Sequence, residues 1–167
     1  MNPTAQAVLE WFKQAWPGPE ARASKWLFGF GETIHFMGIC VLFGALIIFD
    51  LRLLGFFKGI SGKTALAFVP YALAGFVMLA ATGWMFFTSN PVVYYSNPAF
   101  LLKMLAIVLA GLNALAFFVF DHSKVVALGP GEDTSAGTKW MAGGSLALWL
   151  TALLLGRFLP LFVVSQN

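Results

Sequence analysis

Cysteine is almost missing from this chain: Cys40 is the single one in 167 residues. No intrachain disulfide can form, and no C-x-x-C or zinc-type spacing exists. Cys40 lies in an apolar stretch and reads as a small buried hydrophobe. Histidine is nearly as scarce, with only His35 and His122. Charge is thin as well: 10% of residues are Asp, Glu, Lys or Arg, against about 25% in ordinary soluble domains. That shortage excludes disorder, nucleic-acid binding and a water-soluble fold. The sequence also lacks G-x-x-x-x-G-K-[ST], G-x-G-x-x-G and G-x-S-x-G, so a nucleotide site or a serine nucleophile has no support.

What is abundant is apolar. Hydrophobic residues make up 59% of the chain, with 18 Phe and 6 Trp. Such an excess needs a solvent other than water, which points to an integral membrane protein with aromatic belts. A spanning helix needs about 20 mostly apolar residues, and four stretches qualify, roughly 26–57, 66–88, 98–120 and 140–164. The connections are the turn-like 58–63, the Asn/Pro-containing 89–97 and the polar 122–139, which holds Gly129-Pro130-Gly131. Short connections favour antiparallel neighbours, so the expected fold is all-α: a transmembrane up-down four-helix bundle forming one domain over 1–167. Ahead of it, Ala5, Val8, Leu9, Phe12 and Trp16 recur at helical spacing. This predicts a short amphipathic helix over 4–16, lying along the interface or against a partner, with Pro17 ending it. Glu10, Glu20 and Pro17-Gly18-Pro19 interrupt the first 25 residues. They do not read as a cleavable signal peptide, so the first span is expected to direct its own insertion.

An even number of spans puts both termini on one face, here the near face. The far-face connections carry Arg52, Lys58, Lys63, Lys124 and Lys139, whereas the near face carries Lys13, Arg22 and Lys25. The bias assigns the far face to the cytoplasm and the termini to the periplasm of a bacterial inner membrane.

Ionisable groups within hydrocarbon cost about 2.5–3.5 kcal/mol each on insertion scales and are functional candidates by default. At about 1.5 Å per residue, His35 falls about 9 Å from mid-membrane toward the near face, with Glu32 a turn further out. Lys103 in span three, Arg157 in span four and Trp84 in span two fall at the same level. Lys103 shares a helix face with Ala106, Ala110 and Ala114, a small-residue stripe that turns it inward. A second group, Asp50, Arg52, Asn113, Asp121 and His122, lies toward the far face. It reads as interfacial anchoring and helix capping, with Asn113 bonding across helices.

Neutral imidazole is a common axial ligand of haem b in helical bundles. Gly31 and Gly38 flank His35 at i−4 and i+3 and would give a macrocycle clearance. Lys103 and Arg157 would hold its propionates, and Glu32 would tune the field. His122 is too distant to be the second ligand; Met85, an open position or another chain remain. The competing reading needs no cofactor: Glu32 bonds His35, Lys103 and Arg157 neutralise Glu32, and the glycines serve only helix packing. A quinone pocket, a proton path and a metal other than haem iron are further alternatives. The two functions weighed are thus a small haem b electron-transfer protein, as a subunit of a larger membrane complex or self-associating, and a non-catalytic accessory subunit. A quinone or a periplasmic redox protein would be the partner of the first. No residue set supports bond-making chemistry by the chain alone.

The string Gly31-Glu32-Thr33-Ile34-His35-Phe36-Met37-Gly38 is followed by Phe49-Asp50-Leu51-Arg52-Leu53-Leu54-Gly55. Further on come Thr82-Gly83-Trp84-Met85-Phe86, Asn97-Pro98-Ala99-Phe100 with Lys103, and Ala110-Gly111-Leu112-Asn113-Ala114. This pattern resembles an uncharacterised family of small four-span bacterial inner-membrane proteins, across spans one to three. The resemblance implies the architecture and brings no activity with it. In size and shape the chain is also loosely similar to small membrane cytochrome b proteins, which usually provide paired histidines where this sequence does not.

Overall fold

The computed structural model describes residues 3–162; the last two residues of the expected fourth span, 163–164, lie outside them. Four helices are long and apolar enough to cross a bilayer, and among the described residues every regular element is helical. The chain is therefore an all-α, multi-pass membrane bundle. Large apolar side chains stay exposed all round it, including Val108, Leu112 and Val119 on one helix. In water that surface would be untenable; in lipid it needs no cover.

The elements are α1 (Pro3–Gln14), α2 (Gly18–Ala23), α3 (Lys25–Leu54), α4 (Gly62–Leu66), α5 (Val69–Ser89), α6 (Pro91–Tyr95), α7 (Pro98–Phe120), α8 (His122–Ala127) and α9 (Ala136–Phe158), followed by a 3-10 turn over Leu159–Phe162. Their ends are chemically marked. The Ser24 hydroxyl accepts from the Leu27 amide at the start of α3, and Gly55, with φ of 95°, closes it in the left-handed region. Asn97 accepts from the Ala99 and Phe100 amides ahead of α7, with Pro98 in the first turn. Ser135 caps α9, which begins four residues before the expected position.

Three short helices, α4, α6 and α8, lie in or at the edge of connections expected to be irregular. A fourth, α2, follows the Pro17-Gly18-Pro19 break. Pro19 falls in its first turn, where a missing N–H costs nothing. Both N-terminal helices dock on the chain's own bundle. Phe12 sits edge-on to Trp84 and Phe87 at 5.8 and 5.3 Å, and the Trp84 indole donates to the Trp16 carbonyl at 3.0 Å. Arg22 donates to the carbonyls of Lys13, Thr88 and Ser89.

The main seams run between α3 and α5 and between α7 and α9, with α3 against α9 joining the two pairs. Short connections thus make α3 and α5 neighbours as expected, but α5 and α7 form no comparable seam despite a shorter link. They meet at the near end, where Phe87 stacks on Phe100 at 5.8 Å. The α3–α5 seam is tight because glycine lines it. A Cβ on Gly75 would stand 2.5 Å from the Leu42 amide nitrogen, and one on Gly38 3.1 Å from the Gly75 carbonyl oxygen. Backbones approach this closely only where side chains are missing.

At the far end the connections are laced together. Arg52, fully buried, donates from Nε to the Ile60 carbonyl at 2.6 Å and from Nη2 to the Gly129 and Glu132 carbonyls, each at 3.2 Å. The Gly62 amide donates to Leu128 and the Gly131 amide to Lys58. Asp133 takes Lys58 and Lys139, each at 2.9 Å, and the Thr134 hydroxyl donates to the Leu53 carbonyl. The lysines beside Asp133 hold its carboxyl well below the usual carboxylate range. Lys124, at 2.5 Å, and the Thr138 hydroxyl, at 2.6 Å, lower Asp121 in the same way.

Candidate functional site

His35 lies on α3 facing α5, half-buried, with its ring centroid 5.4 Å from that of Phe86. Its Nδ1 is 2.7 Å from the Thr82 hydroxyl oxygen, and that oxygen is also 2.7 Å from the Met78 carbonyl. A hydroxyl has one proton. Both short contacts are hydrogen bonds only if Thr82 donates to Met78 and His35 donates from Nδ1 to Thr82. A neutral imidazole in this arrangement is the Nδ1–H tautomer, with the lone pair on Nε2.

The companions expected around His35 divide. Lys103 is half-buried on the α7–α9 seam, its Nζ 3.2 Å from where a Cβ on Gly156 would stand. Among the described residues it has no hydrogen-bond or ion-pair partner. Ala106 and Ala110 of the small-residue stripe are buried with it, while Ala114 is exposed. Glu32 is exposed and does not bond His35; its field falls on Tyr94, whose phenol is raised by burial first and by Glu32 second. Arg157 follows Gly156 directly, so it stands at the level of Lys103, but it is exposed and has no ion-pair partner among the described residues.

Gly31 and Gly38 are both buried on the α3–α5 seam. A Cβ on Gly31 would collide with the Met85 methyl, and one on Gly38 would press on Gly75, Leu79 and Met78. The space they leave is filled by α5, so the glycine face offers a macrocycle no slot. Met85, considered as a second ligand, is buried against Gly31 instead.

The larger concavity lies elsewhere. Because α5 and α7 part company, a cleft of about 380 Å3 opens between them, lined by residues of all four spanning helices. Phe49 and Phe117 meet edge-on at 5.3 Å, and Phe76 and Trp149 at 5.9 Å, so the walls are aromatic as well as aliphatic. Polar groups there are few: Asp50, Asn113 and Ser145. Asn113 is already committed, donating to the Met141 carbonyl across the α7–α9 seam at 3.0 Å, as its position in the sequence led one to expect.

Asp50 is the exception to the anchoring and capping expected of its group. It is 2% exposed, and its Oδ2 has no hydrogen-bond partner among the described residues. The Ser145 hydroxyl stands beside the carboxyl. Arg52, two residues on, is turned away into the far-end carbonyls. The sequence held a signal for this: Asp50 sits inside Leu46-Ile47-Ile48-Phe49-Asp50-Leu51, within the helix and short of any cap.

No protein family, curated protein or solved structure matches the chain. The class defined by fold and site is a four-span helical membrane protein with a laterally open, mostly apolar cleft.

Proposed function

We propose that the protein is a membrane-embedded binding subunit that takes a lipid-soluble amphiphile into the cleft between α5 and α7. The observation that carries this reading is the cleft itself. Its volume of about 380 Å3 lies within the 300–1,000 Å3 range typical of small-molecule pockets. Its lining includes the exposed Leu73 and Gly111 of two neighbouring spanning helices, so a ligand dissolved in the bilayer can enter from the side. The charge bias of the connections supports a bacterial inner membrane with the near face in the periplasm. The N-terminal segment, itself docked on the bundle, leaves Trp11 and Trp16 exposed as the contacts available for a larger assembly.

Gly111 provides the test. It lines the cleft, and a Cβ there meets nothing within 4 Å, so a large side chain can be added without moving backbone. Native mass spectrometry of protein released from mild detergent is expected to show a retained amphiphile. Gly111→Phe loses it, while Gly83→Phe, also in open space and outside the cleft, keeps it. A bare wild-type mass, or an adduct indifferent to Gly111→Phe, overturns the reading.

A second reading, haem b electron transfer through His35, has one observation in its favour: Nδ1 is bonded and Nε2 is free, the arrangement of metal-ligating histidines. Any haem would have to approach from a side other than the glycine face, with Lys103 the nearest cation for a propionate. Dithionite-reduced minus oxidised spectra decide it. A Soret band abolished by His35→Ala supports haem; colourless folded protein removes it.

A further inference from the structure

We infer that the cleft selects an amphiphile whose head is a hydroxyl-bearing aromatic ring, a quinol, held by hydrogen bonding of its O–H to Asp50. This rests on the cleft reading and specifies its occupant. Three features of the site converge on that chemistry. Asp50 is almost fully buried and lines the cleft with Oδ2 unpartnered. A buried carboxyl oxygen without a donor carries a desolvation cost, and a ligand O–H supplies the donor that Oδ2 lacks among the described residues. The Ser145 hydroxyl beside the carboxyl adds a second polar contact at the same end.

The walls suit a ring rather than a bare chain. Phe49 and Phe117 lie near Asp50, and Phe76 with Trp149 continues the aromatic surface along the cleft. Such rings pack a flat head by offset or edge contacts. A saturated or isoprenoid tail then leaves through the mouth between α5 and α7.

The test uses the full chain in phospholipid nanodiscs under anaerobic, reducing conditions. The probe is a decyl-substituted benzoquinol, and the readout is the quenching of Trp149, taken as the signal absent from Trp149→Phe. The quinol is expected to bind saturably and about tenfold or more tighter than its dimethyl ether, which lacks the donors. Asp50→Leu abolishes that difference while leaving ether binding unchanged. Asp50→Asn, which keeps an acceptor oxygen, retains part of it. Equal binding of quinol and ether overturns the inference and leaves the cleft reading standing. Tighter, Asp50-dependent binding of decylammonium also overturns it, in favour of a cation. If no probe gives a Trp149-dependent signal, both the cleft reading and the inference fall.

Discussion

The far end of the bundle and the level of His35 both place ionisable groups within or beside spanning helices, yet they treat them in opposite ways. At the far end every cation of the knot is occupied: Arg52 by three carbonyls, Lys58 and Lys139 by Asp133, Lys124 by Asp121. Among the described residues His35 bonds the Thr82 side chain alone, and Lys103 stands half-buried without a partner. Burial alone therefore does not separate structural charge from functional charge. What separates them is whether the hydrogen-bonding capacity is spent on the protein itself.

The contrast can be broken most directly by matched substitutions. Arg52→Met strands three carbonyls inside the loops and is expected to cost about 1–3 kcal/mol for each one left buried without a donor, read from reversible unfolding in mixed micelles. Lys103→Met removes a cation that bonds nothing and is expected to be neutral or stabilising. Equal losses would show that the two ends do not differ. Gly75→Ala sharpens the account of the α3–α5 seam. Its Cβ meets backbone at Leu42, so the helices must separate at a cost of about 1–3 kcal/mol. Gly83→Ala on the same helix has open space and is expected to gain slightly from propensity.

The smallest effect is a pH dependence. Asp133 and Asp121 both have lowered values in the folded chain, so each binds its proton more weakly folded than unfolded. Their contribution is complete above the unfolded value of about 3.9 and fades only as pH drops through the depressed folded values. Exchange protection of the Gly62 and Gly131 amides, corrected for intrinsic rate, should then hold from neutral pH down to about 4. Loss of protection near pH 6 would mean that these carboxylates are not paired as described.

Much of the fold was legible because lipid imposes a coarse rule. Runs of about 20 apolar residues declare spans, and the third span falls at the expected 98–120. The partner of each span was less legible. Loop length brings α3 and α5 together, but whether α5 then packs on α7 depends on facing surfaces, and glycine at 38 and 75 commits α5 to α3. The same fact redirects Gly31 and Gly38 from ligand clearance to helix packing. The shared level of His35, Lys103 and Arg157 followed from rise per residue alone. Helix rotation did not, so the exposure of Glu32 and Arg157 was out of reach. Asp50 was grouped with Arg52 and the capping residues because depth could be read and environment could not: two residues along a helix turn one side chain into loops and the other into the cleft.

Arg22 carries a consequence for biogenesis. Two of its three acceptors, Thr88 and Ser89, are polymerised more than sixty residues later, at the very end of α5. During translation the N-terminal helices are therefore made before this anchorage exists. Only when the ribosome has delivered the first hairpin of spans, and the translocon has released it, does that foothold exist.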